Sequence, residues 1–271
     1  MTEPERNRQK AENAWDEYWR KWPVSDKDWS MFGYRKIMLN ELSAEIQNRP
    51  GDRLEILNAG SGMDPLPVYL LKEYPQISIH LLDISQECLD INRRFYEERL
   101  SPAELNRVEF IRGNLLELTF EPGRFDIVYN TGVLEHFLKD DQLKMLTQIE
   151  RVLKPGGAFI TLNPCSRGTL YVAMKDYWEK TGWWPYGPEY PIRSLRALVG
   201  QTFRSYRLIE RNLDFPHTAQ MVLQHDRRFI SWIGRNLLRV CRFKPAEWLL
   251  LKTLGGYVLL SRVHKTAQGE S

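Results

Sequence analysis

Leu54-Glu55-Ile56-Leu57-Asn58-Ala59-Gly60-Ser61-Gly62-Met63-Asp64-Pro65 decides how the rest of the chain is read. A short apolar strand runs without a spacer into a glycine turn, and a helical pattern begins directly after it. Gly60 and Gly62 let the backbone turn tightly and lie against a ligand, because a Cβ would occupy the ligand's space. Asp64 followed by Pro65 reads as an N-cap and first helical residue. By itself a Gly-x-Gly turn is often no more than a tight turn. The next strand, however, ends at Asp83, about twenty residues further on, where a carboxylate accepts both hydrogen bonds of a ribose diol. The bland alternative for Asp83 is a cap for the helix starting near Ser85. Turn and acid at this spacing point to an adenosine-type cofactor.

Charge chooses among such cofactors. A dinucleotide puts its pyrophosphate at the helix start, where the macrodipole and free N–H groups favour an anion. Asp64 stands at that place, and its carboxylate both repels the anion and uses the N–H groups. S-adenosylmethionine carries a sulfonium and an ammonium against one carboxylate and fits better. A phosphate-loop Gly-Lys-Ser/Thr is absent, so a nicotinamide-dependent dehydrogenase is a distant reading.

Outward from the turn, short apolar runs alternate with helical stretches, the pattern of a parallel sheet covered on both faces. Strands are predicted at Leu54 to Leu57, Ile77 to Asp83, Val108 to Ile111, Phe125 to Asn130 and Ala158 to Leu162, with helices near 65–74, 85–99 and 139–153. Two further strand-like runs, Tyr206 to Asp214 and Tyr257 to His264, are about forty residues apart, too far for a simple hairpin. The predicted fold is α/β, a Rossmann-like seven-stranded sheet with helices on both faces. Residues 1–50 read as an N-terminal helical cap, one stretch ending in Trp15, Tyr18, Trp19 and Trp22, the next carrying Met38, Leu39, Leu42 and Ile46. Residues 51–271 read as the main domain, with a lid segment at 166–200 and a basic helical insertion at about 216–254 before the last strand. The lid holds the aromatic, proline-broken run Trp183 to Pro188 and a short helix near 193–200. Leu153-Lys154-Pro155-Gly156-Gly157 reads as a helix stop and turn without chemistry.

Five ordered segments, ILNAGSG (56–62), HLLDIS (80–85), FIRGNLLEL (110–118), FDIVYNTGVLEHF (125–137) and RVLKPGGAFITLNP (151–164), resemble the class I S-adenosylmethionine-dependent methyltransferases, of the type 11/12 kind. The resemblance spans roughly residues 54–164. It implies that Gly60 and Gly62, with Asn58, Ala59 and Ser61 of the same turn, line the methionine part of the cofactor. Asp83 would meet the ribose and Ile84 the adenine, with Asn114 and Leu115 at the adenine edge. Asn130, Thr131 and Gly132 would lie beneath the cofactor at the end of the fourth strand, and Val133 to His136 would begin the wall facing the acceptor. Two positions depart from the pattern. Asn58 stands where the family usually has Glu or Asp, and Asp64 stands where a small residue is common, so Asp64 is a candidate to supply charge to the cofactor's ammonium. Arg35, in the second cap helix, is a candidate partner for the cofactor's carboxylate.

Methyl transfer from a sulfonium is an in-line displacement, so the protein mainly aligns the nucleophile. A hydroxyl or thiol acceptor benefits from a general base; His136 is the first candidate and Glu135 the second, with Asp214 and His217 behind them. The product would be S-adenosylhomocysteine. An Asn/Asp-Pro-Pro-Tyr/Phe run is absent after the fourth strand, which argues against exocyclic nucleobase or glutamine nitrogens. The acceptor is expected to be a small molecule or lipid-linked. A non-catalytic cofactor-binding module is the alternative, and an RNA methyltransferase a weaker one.

Composition agrees with an ordinary globular protein: 42% hydrophobic, 27% charged, net charge +3. That net charge does not by itself call for nucleic acid. No run of about 18 uncharged apolar residues occurs, and the charged, aromatic N-terminus is unlike a signal peptide, so a cytoplasmic location is expected. Cys88, Cys165 and Cys241 lie far apart without Cys-x-x-Cys or clustered His, so neither disulfide nor metal is expected. Residues 225–252 carry net charge +5 interleaved with apolar side chains at helical spacing. Such a stretch suits peripheral contact with an anionic membrane, or a helical pair packed on the sheet. Oligomeric state is not readable.

Overall fold

The computed structural model describes residues 3–21, 29–31, 33–49, 53–184 and 188–266. Trp22 of the predicted cap and Pro185 to Gly187 of the predicted lid lie outside the described residues. Strands β1 (Leu54–Ala59), β2 (Ile77–Asp83), β3 (Val108–Arg112), β4 (Phe125–Thr131), β5 (Leu153–Pro164), β6 (Tyr206–Leu213) and β7 (Val258–Lys265) form one sheet of order β3-β2-β1-β4-β5-β7-β6. β1 to β5 pair in parallel, and β7 inserts antiparallel between β5 and β6. From β1 the chain steps outward to β2 and β3, then crosses to β4 on the other side. That reversal opens a crevice beyond the carboxyl ends of β1 and β4, the place where open α/β sheets bind ligands.

The helices are α1 (Glu3–Lys21), α2 (Tyr34–Gln47), α3 (Leu66–Glu73), α4 (Gln86–Glu97), α5 (Pro102–Leu105), α6 (Lys139–Val152), α7 (Thr169–Lys180), α8 (Arg196–Thr202), α9 (Phe215–Leu223), α10 (Arg228–Val240) and α11 (Lys244–Leu254). Strand alternation assigns each side chain a layer. Ile56, Ile79, Leu81, Ile127 and Tyr129 pack with Met38 and Leu42 of α2, Leu70 of α3 and Tyr96 of α4. Leu57, Leu82, Val128 and Phe159 pack on the other face with Met145, Leu146 and Ile149 of α6. Burial on both faces is why these strands read as continuous apolar runs. Each fully buried leucine or isoleucine contributes about 2 kcal/mol. Glu41 of α2 ion-pairs with both Arg211 of β6 and Arg262 of β7, fastening that helix to the antiparallel end.

Three boundaries differ from the sequence reading. The helix after the glycine turn starts at Leu66 with Pro65 in the cap position, not with Asp64 as cap. β5 starts at Leu153, because Leu153 pairs with Phe125 before the register shifts, although Gly156 still turns with φ 77°. The interval between β6 and β7 holds a third helix, α9, ahead of the pair α10 and α11 at 225–252. Gly234 of α10 makes this packing possible: a Cβ there would lie 2.2 Å from the backbone nitrogen of Leu223 at the end of α9. Ile230 and Ile233 pack inward from α10, as do Leu237, Leu238, Leu250 and Leu251 along α10 and α11. Phe229, Trp232, Phe243 and Trp248 remain 57–70% exposed. The basic insertion is thus neither wholly packed nor wholly solvated. Cys88, Cys165 and Cys241 are free and buried.

Candidate functional site

β1 delivers the chain to Gly60 and Gly62, whose φ angles of 80° and 49° are ones that side-chain-bearing residues rarely adopt. The N–H groups of Gly60 and Ser61 both donate to the Leu82 carbonyl, at 2.8 and 3.0 Å, which ties the turn to the end of β2. Asp83 then joins the turn to α4: Gly62 N–H donates to Oδ2 and Ser85 N–H to Oδ1, each at 2.9 Å. Asp83 thus ties the turn to the residue before α4, while the cap of that helix is Ser85 itself, whose hydroxyl accepts the Cys88 N–H. From α4, Asn92 donates to the Gly62 carbonyl at 2.6 Å and accepts the Asp64 N–H at 3.1 Å.

Asp64 lies under this turn. Its carboxylate accepts from Leu66 N–H at 2.9 Å, from Asn58 Nδ2 at 2.7 Å and from the Tyr129 hydroxyl at 2.7 Å. Burial pushes its carboxyl up to about 6, against the pull of these donors and of Arg35. Burial likewise raises Asp83. Asn58 and Asp64, the two departures from the family pattern, thus satisfy each other inside the fold. Arg35 donates to the Met63 carbonyl at 3.5 Å, so it does reach the turn from α2. The hydroxyl of Ser61 is buried with no partner among the described residues.

α1 crosses the mouth of the crevice. Asp16 accepts from the Ser85 hydroxyl at 2.5 Å and from Glu87 N–H at 3.2 Å, and Glu12 pairs with Arg112 at 3.0 Å. Trp19 lies 3.8 Å from where a Cβ on Gly62 would stand, and Trp15 meets the His136 ring edge-on at 5.3 Å. One helix therefore touches both ends of the cleft.

At the β4 end, Gly132 turns with φ 68° and donates to the Leu162 carbonyl at 2.8 Å, and a 3-10 turn follows at Leu134–His136. Glu135 is buried, and burial pushes its carboxyl well above the ordinary range, helped by the charge of Glu189. Burial also raises Glu189, to about 7, against the nearby Lys175 ammonium, and lowers the imidazole of His136. The Tyr171 hydroxyl donates to Glu189 at 3.4 Å. Beyond it Tyr257 stacks on His217, ring centroids 4.1 Å apart, and meets Tyr171 edge-on at 5.0 Å. A histidine whose burial favours the neutral form thus stands with two carboxyl groups whose burial favours theirs, a set of groups of the kind used in proton transfer.

A family model described as a methyltransferase domain matches residues 56–157, which hold β1 to β4 and the start of β5. Over that segment the chain is similar to methyltransferases, in agreement with the resemblance drawn from the sequence. Among curated proteins, demethylmenaquinone methyltransferase of Leptospira interrogans is 28% identical over 137 residues, 50% of this chain and 53% of that protein. The chain therefore spans about half the length of this curated relative. Among solved structures, phosphoethanolamine N-methyltransferase 2 of Haemonchus contortus, in complex with S-adenosyl-L-methionine, aligns at TM-score 0.56 and 18% identity over 84% of this chain and 53% of that one. Geranyl diphosphate C-methyltransferase of Streptomyces coelicolor A3(2), in complex with Mg2+, geranyl diphosphate and S-adenosyl-L-homocysteine, aligns at TM-score 0.53 and 13% identity over 84% and 77%. At such identities these two speak for the fold.

Of the residues singled out from the methyltransferase pattern, Asn58 to Gly62, Asp64, Asp83, Ile84 and Arg35 gather at the β1–β2 end. Leu115 reaches them: a Cβ on Gly60 would meet it at 3.1 Å and Val133 at 3.0 Å. Asn114 turns inward to accept the Leu116 N–H at 2.9 Å. Asn130 accepts from the Thr161 hydroxyl at 2.5 Å, beneath the exit of Thr131 and Gly132. Asp214, left-handed at φ 65°, accepts the His217 N–H at 3.3 Å. Both of these join the tyrosine wall, not the turn. Glu189, Tyr171 and Tyr257 were not legible as site residues. The one available signal was an acid, Glu189, set among aromatics and prolines more than fifty residues beyond Glu135.

Proposed function

We propose that the chain is an S-adenosylmethionine-dependent methyltransferase that transfers a methyl group in line to a nucleophile of a small-molecule or lipid-linked acceptor. One observation carries this reading: the Gly60–Gly62 turn bonded to Asp83 opens onto the same crevice as Glu135 and His136. The turn is acidic, with Asp16, Asp64 and Asp83 close by, and the cofactor carries two positive groups. The free Ser61 hydroxyl adds a donor. In this reading Asp83 holds the ribose, the turn holds the methionine part, and Ile84 with Leu115 flanks the adenine. When bound, the cofactor supplies an activated methyl on a sulfonium. His136 or Glu135 takes the acceptor's proton, and α1 excludes water. The names of the relatives, a demethylmenaquinone, a phosphoethanolamine and a geranyl diphosphate methyltransferase, point to small acceptors.

The exposed side of α10 and α11 supports a lipid-linked acceptor met at a surface. Phe229 stacks on Trp232, Lys252 lies over Trp248, and Arg228, Arg235, Arg239 and Arg242 are exposed between them. Aromatic and basic side chains interleaved on one amphipathic helix are suited to an anionic bilayer surface. No helix among the described residues is long and apolar enough to cross a membrane. We therefore propose a cytoplasmic protein that docks peripherally.

The test is transfer of label from methyl-tritiated S-adenosylmethionine into the organic extract of a lipid preparation. Turnover is expected, together with S-adenosylhomocysteine. Tight S-adenosylhomocysteine binding without turnover on lipids or soluble metabolites would leave the non-catalytic alternative. Co-sedimentation with phosphatidylglycerol vesicles tests docking, and equal binding to neutral vesicles in high salt would remove the electrostatic part.

A further inference from the structure

Glu135, His136 and Glu189 converge. Each offers one ligand atom, and the three atoms lie within 4.8 Å of one another. A cation held at about 2.0–2.3 Å from such atoms separates them by roughly 3–4.5 Å, so the spacing matches a shared ion. The convergence is built, not incidental. Tyr190 N–H donates to the Glu135 carbonyl at 2.7 Å, and the His136 imidazole bonds to the Pro188 carbonyl. These two bonds strap the segment carrying Glu189 onto the 3-10 turn carrying the other two ligands.

An independent observation points to an occupant. Glu135 is 2% exposed, and its Oε2 has no hydrogen-bond partner among the described residues. Leaving a buried carboxyl oxygen bare is costly, and proteins ordinarily fill such a vacancy with a donor or a cation. Lys175, whose charge reaches Glu189, is already paired with Glu179 at 2.5 Å. Two carboxylates and one imidazole form a mixed oxygen and nitrogen set, the kind taken by Mn2+, Fe2+, Co2+ or Zn2+, with coordination positions left open. The Glu135 carboxyl also borders the methyl-transfer end of the cleft, since a Cβ on Gly132 would lie 3.3 Å from its Oε1.

We propose that Glu135, His136 and Glu189 bind one divalent transition-metal cation whose open positions receive an oxygen donor of the acceptor. The metal site stands without the methyl-transfer reading; the acceptor class, a hydroxyl or phenol, rests on it. With the cation bound, Glu135 and His136 act as ligands in place of the general base: a coordinated hydroxyl gives its proton to water, its oxygen bonds to the methyl carbon as the sulfur–methyl bond breaks, and that electron pair returns to sulfur. The sequence reading expected no metal because it looked for Cys-x-x-Cys and clustered His, and this set has neither.

The test uses the full chain stripped with chelator and titrated with MnCl2 by calorimetry and electron paramagnetic resonance. One Mn2+ per chain is expected. Glu135→Gln and Glu189→Gln should each weaken it at least tenfold, while S-adenosylhomocysteine binding reports that they remain folded. CoCl2 added to the wild type needs no variant: visible ligand-field bands should appear and be bleached by Zn2+. Absence of binding by Mn2+, Co2+ and Zn2+, or binding unchanged in both Gln variants, overturns the proposal. Stabilisation by tetramethylammonium but by no metal also overturns it, giving the acids to a cationic substrate. Metal binding without S-adenosylmethionine binding would defeat the methyltransferase reading and leave the metal site standing.

Discussion

The two rims of the crevice bury acidic groups on opposite terms. At the β1–β2 rim, Asp64 accepts from three named donors and Asp83 from two backbone N–H groups. At the β4–β5 rim, one oxygen of Glu135, the Asn130 amide nitrogen and the Asn163 amide oxygen are buried without a partner among the described residues. An unsatisfied buried group costs on the order of 1–3 kcal/mol, a cost the two acids of the first rim avoid, although the Ser61 hydroxyl there is bare. The acids of the first rim are finished before any ligand arrives. Those of the second leave an oxygen for one. The difference teaches where the fold ends and the acceptor chemistry begins.

Removing a carboxylate from the finished rim should produce the largest effect. Asp64→Ala strands Leu66 N–H, Asn58 Nδ2 and the Tyr129 hydroxyl in a buried place. Stability should drop by about 4 kcal/mol, roughly 10 °C in melting temperature for a chain of this size. A melting temperature unchanged beside a collapsed cofactor affinity would make Asp64 a ligand group and break the comparison. Asp83→Ala should come next, stranding the Gly62 and Ser85 N–H groups and falling on the ligand as well: S-adenosylmethionine affinity should decline on the order of 100-fold by calorimetry, equal to about 3 kcal/mol. Unchanged affinity would deny Asp83 its ribose role.

These two expectations show how legibility was distributed. The parallel strands and the turn were readable because burial on both faces writes uninterrupted apolar runs, and because Gly60 and Gly62 answer a backbone need at fixed local spacing. Asp64 was read correctly as the group that uses the free helix N–H, yet its ties to Asn58 and Tyr129 were not visible, since Tyr129 comes from another strand. Glu135 and His136 stood in a recognisable segment; Glu189 and Tyr171 did not. They come from the irregular segments after β5, where no periodicity links them to β4 and only packing brings them together. The exposed aromatics of α10 and α11 share that limit: their spacing showed an amphipathic helix, not which side chains would stay in water.

His217 sharpens the comparison through pH. It belongs to the tyrosine wall of the unfinished rim, and burial lowers its imidazole from 6.5 to about 4. The unfolded chain therefore binds a proton that the fold refuses. Its stabilising contribution is complete above pH 6.5 and is lost as pH falls from there toward 4, by about 3 kcal/mol in all. Asp214 beside it is raised to about 6 by burial and runs the other way, losing stability as pH rises from 3.8 to 6. The wild type alone sums opposing slopes, since Asp64 and Glu189 are also raised by burial. Subtracting denaturation curves of His217→Phe, which keeps the ring on Tyr257, from those of the wild type should expose the histidine slope. A difference constant between pH 4 and 7 would mean that the imidazole is solvated.

The smallest expected effect is the most discriminating. Glu135→Gln in chelator-treated protein should change stability at pH 7 by less than about 1 kcal/mol, because burial disfavours the charged carboxylate and Oε2 has no partner among the described residues to lose. Asp64→Asn is as conservative on paper, yet it turns an acceptor of three hydrogen bonds into a group whose amide faces the Asn58 amide and the Tyr129 hydroxyl. It should cost several times as much. Both acids are buried and both are raised by burial; they differ only in what their oxygens touch. Equal losses for the two amide variants would show that Glu135 has a structural partner of its own. A loss at Asp64 beside near-neutrality at Glu135 would show that the fold has left the second carboxyl free for something it binds.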